Sequence, residues 1–168
     1  MASKDTPLNP AISPAGSTSK SRAFPVILRA GLLCGAMDIT AAFVTWAIQG
    51  VKPVIILQGI ASGLLGPTSF QGGWKTAALG GVLHFTIAFT GATVFYDASR
   101  SLRFMTRRPI LSGVLYGVVV YLVMYWIVMP LSNIHRRPFS LTATVIAIVT
   151  HMVCVGLPIS LVVRRYSK

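Results

Sequence analysis

Acidic side chains are almost missing from this 168-residue chain. It has three aspartates (Asp5, Asp38 and Asp97) and no glutamate, set against fifteen Lys and Arg, for a formal net charge of +12. General acid–base chemistry on a pair of carboxylates is thereby disfavoured. Charged residues of both signs make up only 11% of the chain, where soluble domains carry about 25%, which disfavours a free water-soluble globule. Cysteine is nearly absent too. Cys34 and Cys154 form no C-x-x-C pair and lie inside apolar runs, which leaves no disulfide scaffold and no thiol metal motif. Both read as small packing residues. There is no G-x-S-x-G nucleophile elbow, and Gly59-Ile60-Ala61-Ser62-Gly63 lacks the Lys-Ser/Thr that would follow in a phosphate loop.

What fills the chain instead is apolar. Hydrophobic residues make up 54% of it at a mean hydropathy of +0.71. Four stretches reach the roughly 20 residues that a helix needs to cross a bilayer: 25–48, 75–96, 109–131 and 141–163. A fifth run, 54–65, is bounded by Lys52-Pro53 and Gly66-Pro67. As a helix it would be about 18 Å long, too short for the ~30 Å hydrocarbon core, and it reads as interfacial or re-entrant. Residues 1–24 are rich in Ser, Pro, Ala and Thr and read as a disordered cytoplasmic tail. No cleaved leader is expected. The expected fold is all-α: an integral membrane four-helix bundle over residues 25–168, with a short helix between spans 1 and 2.

The basic residues border the apolar runs rather than cluster on a wet face, which disfavours nucleic acid as a partner. With four spans, Lys4, Lys20, Arg22, Arg100, Arg103, Arg107, Arg108, Arg164, Arg165 and Lys168 share one side. Only Lys52, Lys75, Arg136 and Arg137 take the other. This asymmetry places both termini in the cytoplasm. Trp46, Trp74 and Trp126, with Phe70 and Phe139, then mark the outer boundary, and Phe24, Phe104 and Tyr166 the inner one. Arg29 is expected to snorkel to the inner surface, Asp97 to pair locally with Arg100 or Arg103, and His135 to be solvated. Pro130 closes the third span; Pro158 inside the fourth could kink it near His151, but absorption by helix packing is the expectation.

Helical spacing reveals small or polar faces. Gly31, Gly35, Asp38, Ala42, Thr45 and Gln49 share one face, as do Ala77, Gly81, His84, Ala88 and Gly91. Ser140, Thr144, Ala147, His151, Cys154 and Pro158 form a third, and the charge-free third span offers Gly113 and Gly117 with Tyr116 and Tyr121 nearby. In lipid such small residues let backbones approach, so Gly31, Gly35, Gly81, Gly113 and Gly117 are expected to pack helices. Asp38, His84 and His151 are the candidate intramembrane polar site. A charge at the bilayer centre costs about 2.5–3.5 kcal/mol on insertion scales and needs burial and a partner. Counted from the inner border, Asp38 lies about 12–14 Å deep and the histidines about 16–20 Å, close enough to share one layer. Two imidazoles and a carboxylate are also a metal-ligand set, and His84 with His151 could hold a haem axially, with Gly81 or Ala88 making room. No helix, however, supplies the paired ligands usual in metal-binding bundles, and no cofactor is expected.

Gly72-Gly73-Trp74-Lys75-Thr76-Ala77, His84-Phe85-Thr86-Ile87-Ala88, Ser99-Arg100, Gly113 with Tyr116-Gly117, Tyr121 with Met124, Pro130-Leu131-Ser132 and His151 with Gly156-Leu157-Pro158 together resemble a group of uncharacterised small four-span bacterial inner-membrane proteins. The layout of residues 26–165 is distantly similar to the YagU-type proteins. The resemblance implies a bacterial inner-membrane location and a four-span fold but no substrate; the YagU-like layout hints at acid or envelope stress. The leading functional expectation is a structural or accessory protein that self-associates through its glycine faces, so the bilayer and a second copy of the chain are its expected partners. The alternatives are a small proton-linked carrier or channel component using Asp38, His84 and His151, and a haem- or metal-binding redox protein.

Overall fold

A computed structural model describes the backbone of residues 17–134 and 139–166 and the side chains from Ala23 onward. His135, Arg136, Arg137, Lys168 and most of the expected tail lie outside the described residues. Every regular element among them is helical: α1 (Ser17–Ala47), α2 (Pro53–Leu65), α3 (Gly73–Ser101), the short α4 (Arg103–Arg107), α5 (Pro109–Leu131) and α6 (Leu141–Tyr166). The first helix starts at Ser17, eight residues before the expected boundary, with Pro25 inside it.

Among the described residues five helices, not four, are long and apolar enough to cross a membrane. The additional one is Pro53–Gln71. It reaches this length because a 3-10 turn, Gly66–Gln71, continues α2 where the sequence suggested a stop at Gly66-Pro67. Pro53 starts α2, in the first-turn position where its missing N–H costs nothing. Gly66 ends it at φ +64°, and Gly73 opens α3 at φ +57°; both are left-handed conformations suited to glycine.

Side-chain and backbone contacts set the relative directions. Gly31 of α1 lies against the Phe89 ring, and Gly35 one turn later against Phe85 and Ala88, so α1 and α3 run antiparallel. The end of α1 and the start of α3 therefore lie at the same end of the molecule. Gly113 of α5 faces Ser160 and Gly156 of α6, and Gly117 faces His151 and Met152, giving a second antiparallel pair. The Ser160 hydroxyl fastens it by donating to Pro109 O at 2.8 Å. Helix α2 packs on the first turns of α3, where Gly80 lets the backbone from Leu57 to Ala61 come into direct contact.

The tightest core lies at the end where α1 begins and α6 finishes. Val26, Ala30, Cys34, Ala92, Phe95, Ile159 and Val163 are all buried there. The basic residues Arg29, Arg100, Arg103, Arg107, Arg108, Arg164 and Arg165 surround this end, and the Arg29 guanidinium lies 4.5 Å from the centre of the Tyr166 ring. The opposite end carries Lys52 and Lys75. The outward faces of the long helices are apolar: Leu111, Leu115, Val119 and Leu122 line the outside of α5, each at least two-fifths exposed. A continuous apolar exterior of this kind suits lipid rather than water.

Two irregularities interrupt the helices. Met124–Val128 in α5 and His151–Gly156 in α6 are wide π turns. Each ends two residues before a proline, Pro130 or Pro158. A proline offers no N–H to the carbonyl one turn earlier, and a helix can answer with a local change of hydrogen-bond pattern. At Pro158 the expected simple absorption by packing gives way to a wide turn that begins at His151.

Candidate functional site

Above the packed core the helices diverge and enclose a cavity of about 1030 Å³. Its walls are mostly apolar, contributed by α1, α2, α3, α5 and α6. At its deep end stand Cys34, Asp38, His84, Tyr121 and His151. Toward the end that holds α2 it reaches Trp46, Phe70 and Phe139, the last two of them exposed. Asp38, His84 and His151 therefore line one space.

The two imidazoles are held differently. His84 Nε2–H donates to Gly35 O on the neighbouring helix at 2.9 Å, so the ring ties α3 to α1. His151 Nδ1–H donates to Ala147 O of its own helix at 2.8 Å. Its ring meets Tyr121 edge-to-face, with centroids 5.8 Å apart, and Tyr121 stacks on Tyr125 at 5.9 Å. A carbonyl can only accept, so each bond fixes which ring nitrogen carries hydrogen. In the neutral rings, His84 Nδ1 and His151 Nε2 are left as bare acceptors. Asp38 is half-buried and, among the described residues, makes no hydrogen bond or ion pair. No group of three His, Cys, Asp or Glu side chains converges on a metal position among the described residues.

The helical faces read from the sequence map onto this cavity only in part. Gly35, Asp38 and Ala42 line it from α1, His84, Ala88 and Gly91 from α3, and Thr144, Ala147 and His151 from α6, with Ser140 just before that helix. Cys154 and Pro158 do not; within the wide turn, Val155 takes the position on the wall. Tyr116 lies deeper and donates to Gly91 O at 2.6 Å. Among the packing glycines, Gly31, Gly35, Gly113 and Gly117 are enclosed by neighbouring helices of the same chain. Gly81 is not: a methyl group there would meet nothing within 4 Å. It lies in a shallow outward groove of α3 with Ala78, Val82 and Phe85, and its neighbour Gly80 makes the close helix contact instead.

Sequence reasoning missed the contribution of α2. Ile56, Gly59, Ile60 and Gly63 form one wall of the cavity. The Gln58 amide, buried against α3, donates to Gly73 O at 3.0 Å and holds α2 there. Asn133, just past α5, donates from its backbone to Gly63 O and from its side chain to Leu64 O, both at 3.0 Å. Those are carbonyls that the end of α2 leaves without helical partners. The available signals were the small residues at positions 59, 62 and 63 and a lone amide directly after an apolar span.

Fold and site together define an all-helical protein whose apolar helices could span a membrane and whose interior holds a cavity with a polar, ionisable deep end. The chain matches no protein-family model, no curated protein and no solved structure.

Proposed function

We propose that this protein is a small proton-linked carrier, or the membrane component of one, in the bacterial inner membrane. One observation carries the reading: Asp38, His84 and His151, the ionisable residues hardest to keep inside a bilayer, line a single cavity of about 1030 Å³. Pockets of this size accept drug-sized solutes. The tight core beneath the cavity would be the barrier that has to yield for passage.

Four crossings are part of this proposal, with α2 a re-entrant segment. The support is that α1 and α3 run antiparallel, so the chain between Ala47 and Gly73 returns to the end it left. The five-crossing count follows from length and composition alone. With the Arg-rich end facing the cytoplasm by the positive-inside rule, both termini are cytoplasmic and the cavity opens outward.

Proteoliposomes holding the full chain and a trapped pH dye test the carrier reading. Under an imposed potential, the wild type is expected to pass protons at least tenfold faster than empty vesicles, and Asp38→Asn to remove most of that flux. A flux that survives Asp38→Asn, His84→Ala and His151→Ala alike overturns it.

Self-association remains a second reading, favoured by Gly81, the one expected packing glycine with no neighbour among the described residues. If copies meet, the groove around Gly81 is where they would do so, and Gly81→Leu would convert a cross-linked dimer to monomer.

A further inference from the structure

We infer that the cavity selects hydrophobic organic cations, and among them protonated amines. This rests on the cavity being a ligand site, as proposed above, and adds the chemical class of the ligand. Three observations carry it. The first is charge: the described lining residues include Asp38 and no Lys or Arg. An ionised carboxylate with no partner among the described residues, in a mostly apolar cavity, favours a cation and repels an anion, because little water screens it. The second is hydrogen-bond polarity. His84 and His151 each give an N–H to a backbone carbonyl, so in their neutral form each of these lining residues keeps one bare acceptor nitrogen, His84 Nδ1 and His151 Nε2. Neither can satisfy Asp38, and all three groups accept. An ammonium N–H matches that set; a quaternary centre matches only its charge. The third is the wall, where Tyr121 accompanies aliphatic side chains. It suits an apolar body beside a positive charge.

Matched probes test this: tetraphenylphosphonium and tetraphenylborate share shape and size but carry opposite charges. Equilibrium binding is measured on the full chain in phosphatidylcholine nanodiscs, against empty discs. Saturable phosphonium binding is expected, with borate showing none, and Asp38→Asn should weaken the phosphonium at least tenfold. At pH 7, 2,2,2-triphenylethylamine should displace the phosphonium at a lower concentration than unlabelled phosphonium does, and this advantage should shrink when both histidines are replaced by alanine. Ala147→Trp, which fills the cavity from its wall, should abolish binding without lowering the melting temperature of the protein. The inference is overturned if borate binds as well as phosphonium, if Asp38→Asn leaves phosphonium affinity unchanged, if Ala147→Trp does not reduce it, or if folded protein shows no saturable binding of either ion. An amine with no advantage over the phosphonium removes the selectivity for protonated amines alone. Proton flux is read separately: its loss with cation binding intact removes the carrier reading and keeps the ligand class, and the reverse pattern does the opposite.

Discussion

The long helices α1, α3, α5 and α6 run through both halves of this molecule, yet one half is sealed and the other hollow. At the Arg-rich end Ala30, Ala92, Ile159 and Val163 have no exposed surface, and Gly113 and Gly156 bring the backbones of α5 and α6 together. Toward the other end the same helices separate around a cavity, and Gly59 of α2 has nothing within 4 Å of where its Cβ would be. Hydrophobicity cannot account for the difference, since lipid is as apolar as leucine and gives helices no reason to meet. Closeness comes from glycines: Gly113 meets Gly156, and Gly31 and Gly35 receive the Phe89 and Phe85 rings. Where the facing residues are larger, or where α2 occupies one side of α3, a space remains.

The sharpest way to break this contrast is to add the same methyl group in each half. Gly156→Ala places a Cβ against the Gly113 carbonyl and is expected to destabilise the protein by about 3 kcal/mol, the upper range for overpacking. Gly59→Ala meets open space and adds helix propensity, so it should stabilise by roughly 0.5 kcal/mol. Melting temperatures in one detergent read both. Equal losses would mean that the two halves are packed alike.

Accessibility sharpens the same comparison. With Cys34 and Cys154 first replaced by alanine, single cysteines at Ala147 in the cavity wall and Ala92 in the seal can be exposed to a membrane-impermeant methanethiosulfonate. Ala147→Cys is expected to react at least tenfold faster than Ala92→Cys. Comparable rates would show that the seal opens as readily as the cavity.

A smaller effect separates the two histidines. His84→Ala removes a bond between helices and should cost about 1 kcal/mol of thermal stability. His151→Ala removes one within its own helix and should cost less than about 0.5 kcal/mol. A reversed order would place the structural role at His151.

Much of this was legible in advance because the bilayer constrains sequence strongly. Apolar runs of about 20 residues announce helices, and the four long ones were placed to within a few residues apart from the start of α1. That Asp38, His84 and His151 all border one large cavity agrees with a related constraint. An ionisable residue in lipid must turn inward, and comparable depths on separate helices leave few places to meet. Other features depend on pairings that a single sequence does not display. Gly80 and Gly81 are chemically identical neighbours, and only the position of α2 decides which is enclosed. The capping of α2 by Asn133 joins positions 69 residues apart. The extension of α2 through Gln71 was hidden because Gly66-Pro67 is a strong break signal that a 3-10 turn can nonetheless continue.

The wide turn at His151–Gly156 also has an evolutionary and engineering meaning. A helix advances about 100° per residue, so one surplus residue rotates everything beyond it by nearly a third of a revolution. Here that rotation lets one continuous rod present His151 to the hollow half and, further on, Ile159 and Val163 to the sealed half. A single-residue deletion within the turn would therefore act as a gear change: the chemistry of the chain would be almost unaltered, but the cavity and its floor could no longer be served by the same helix.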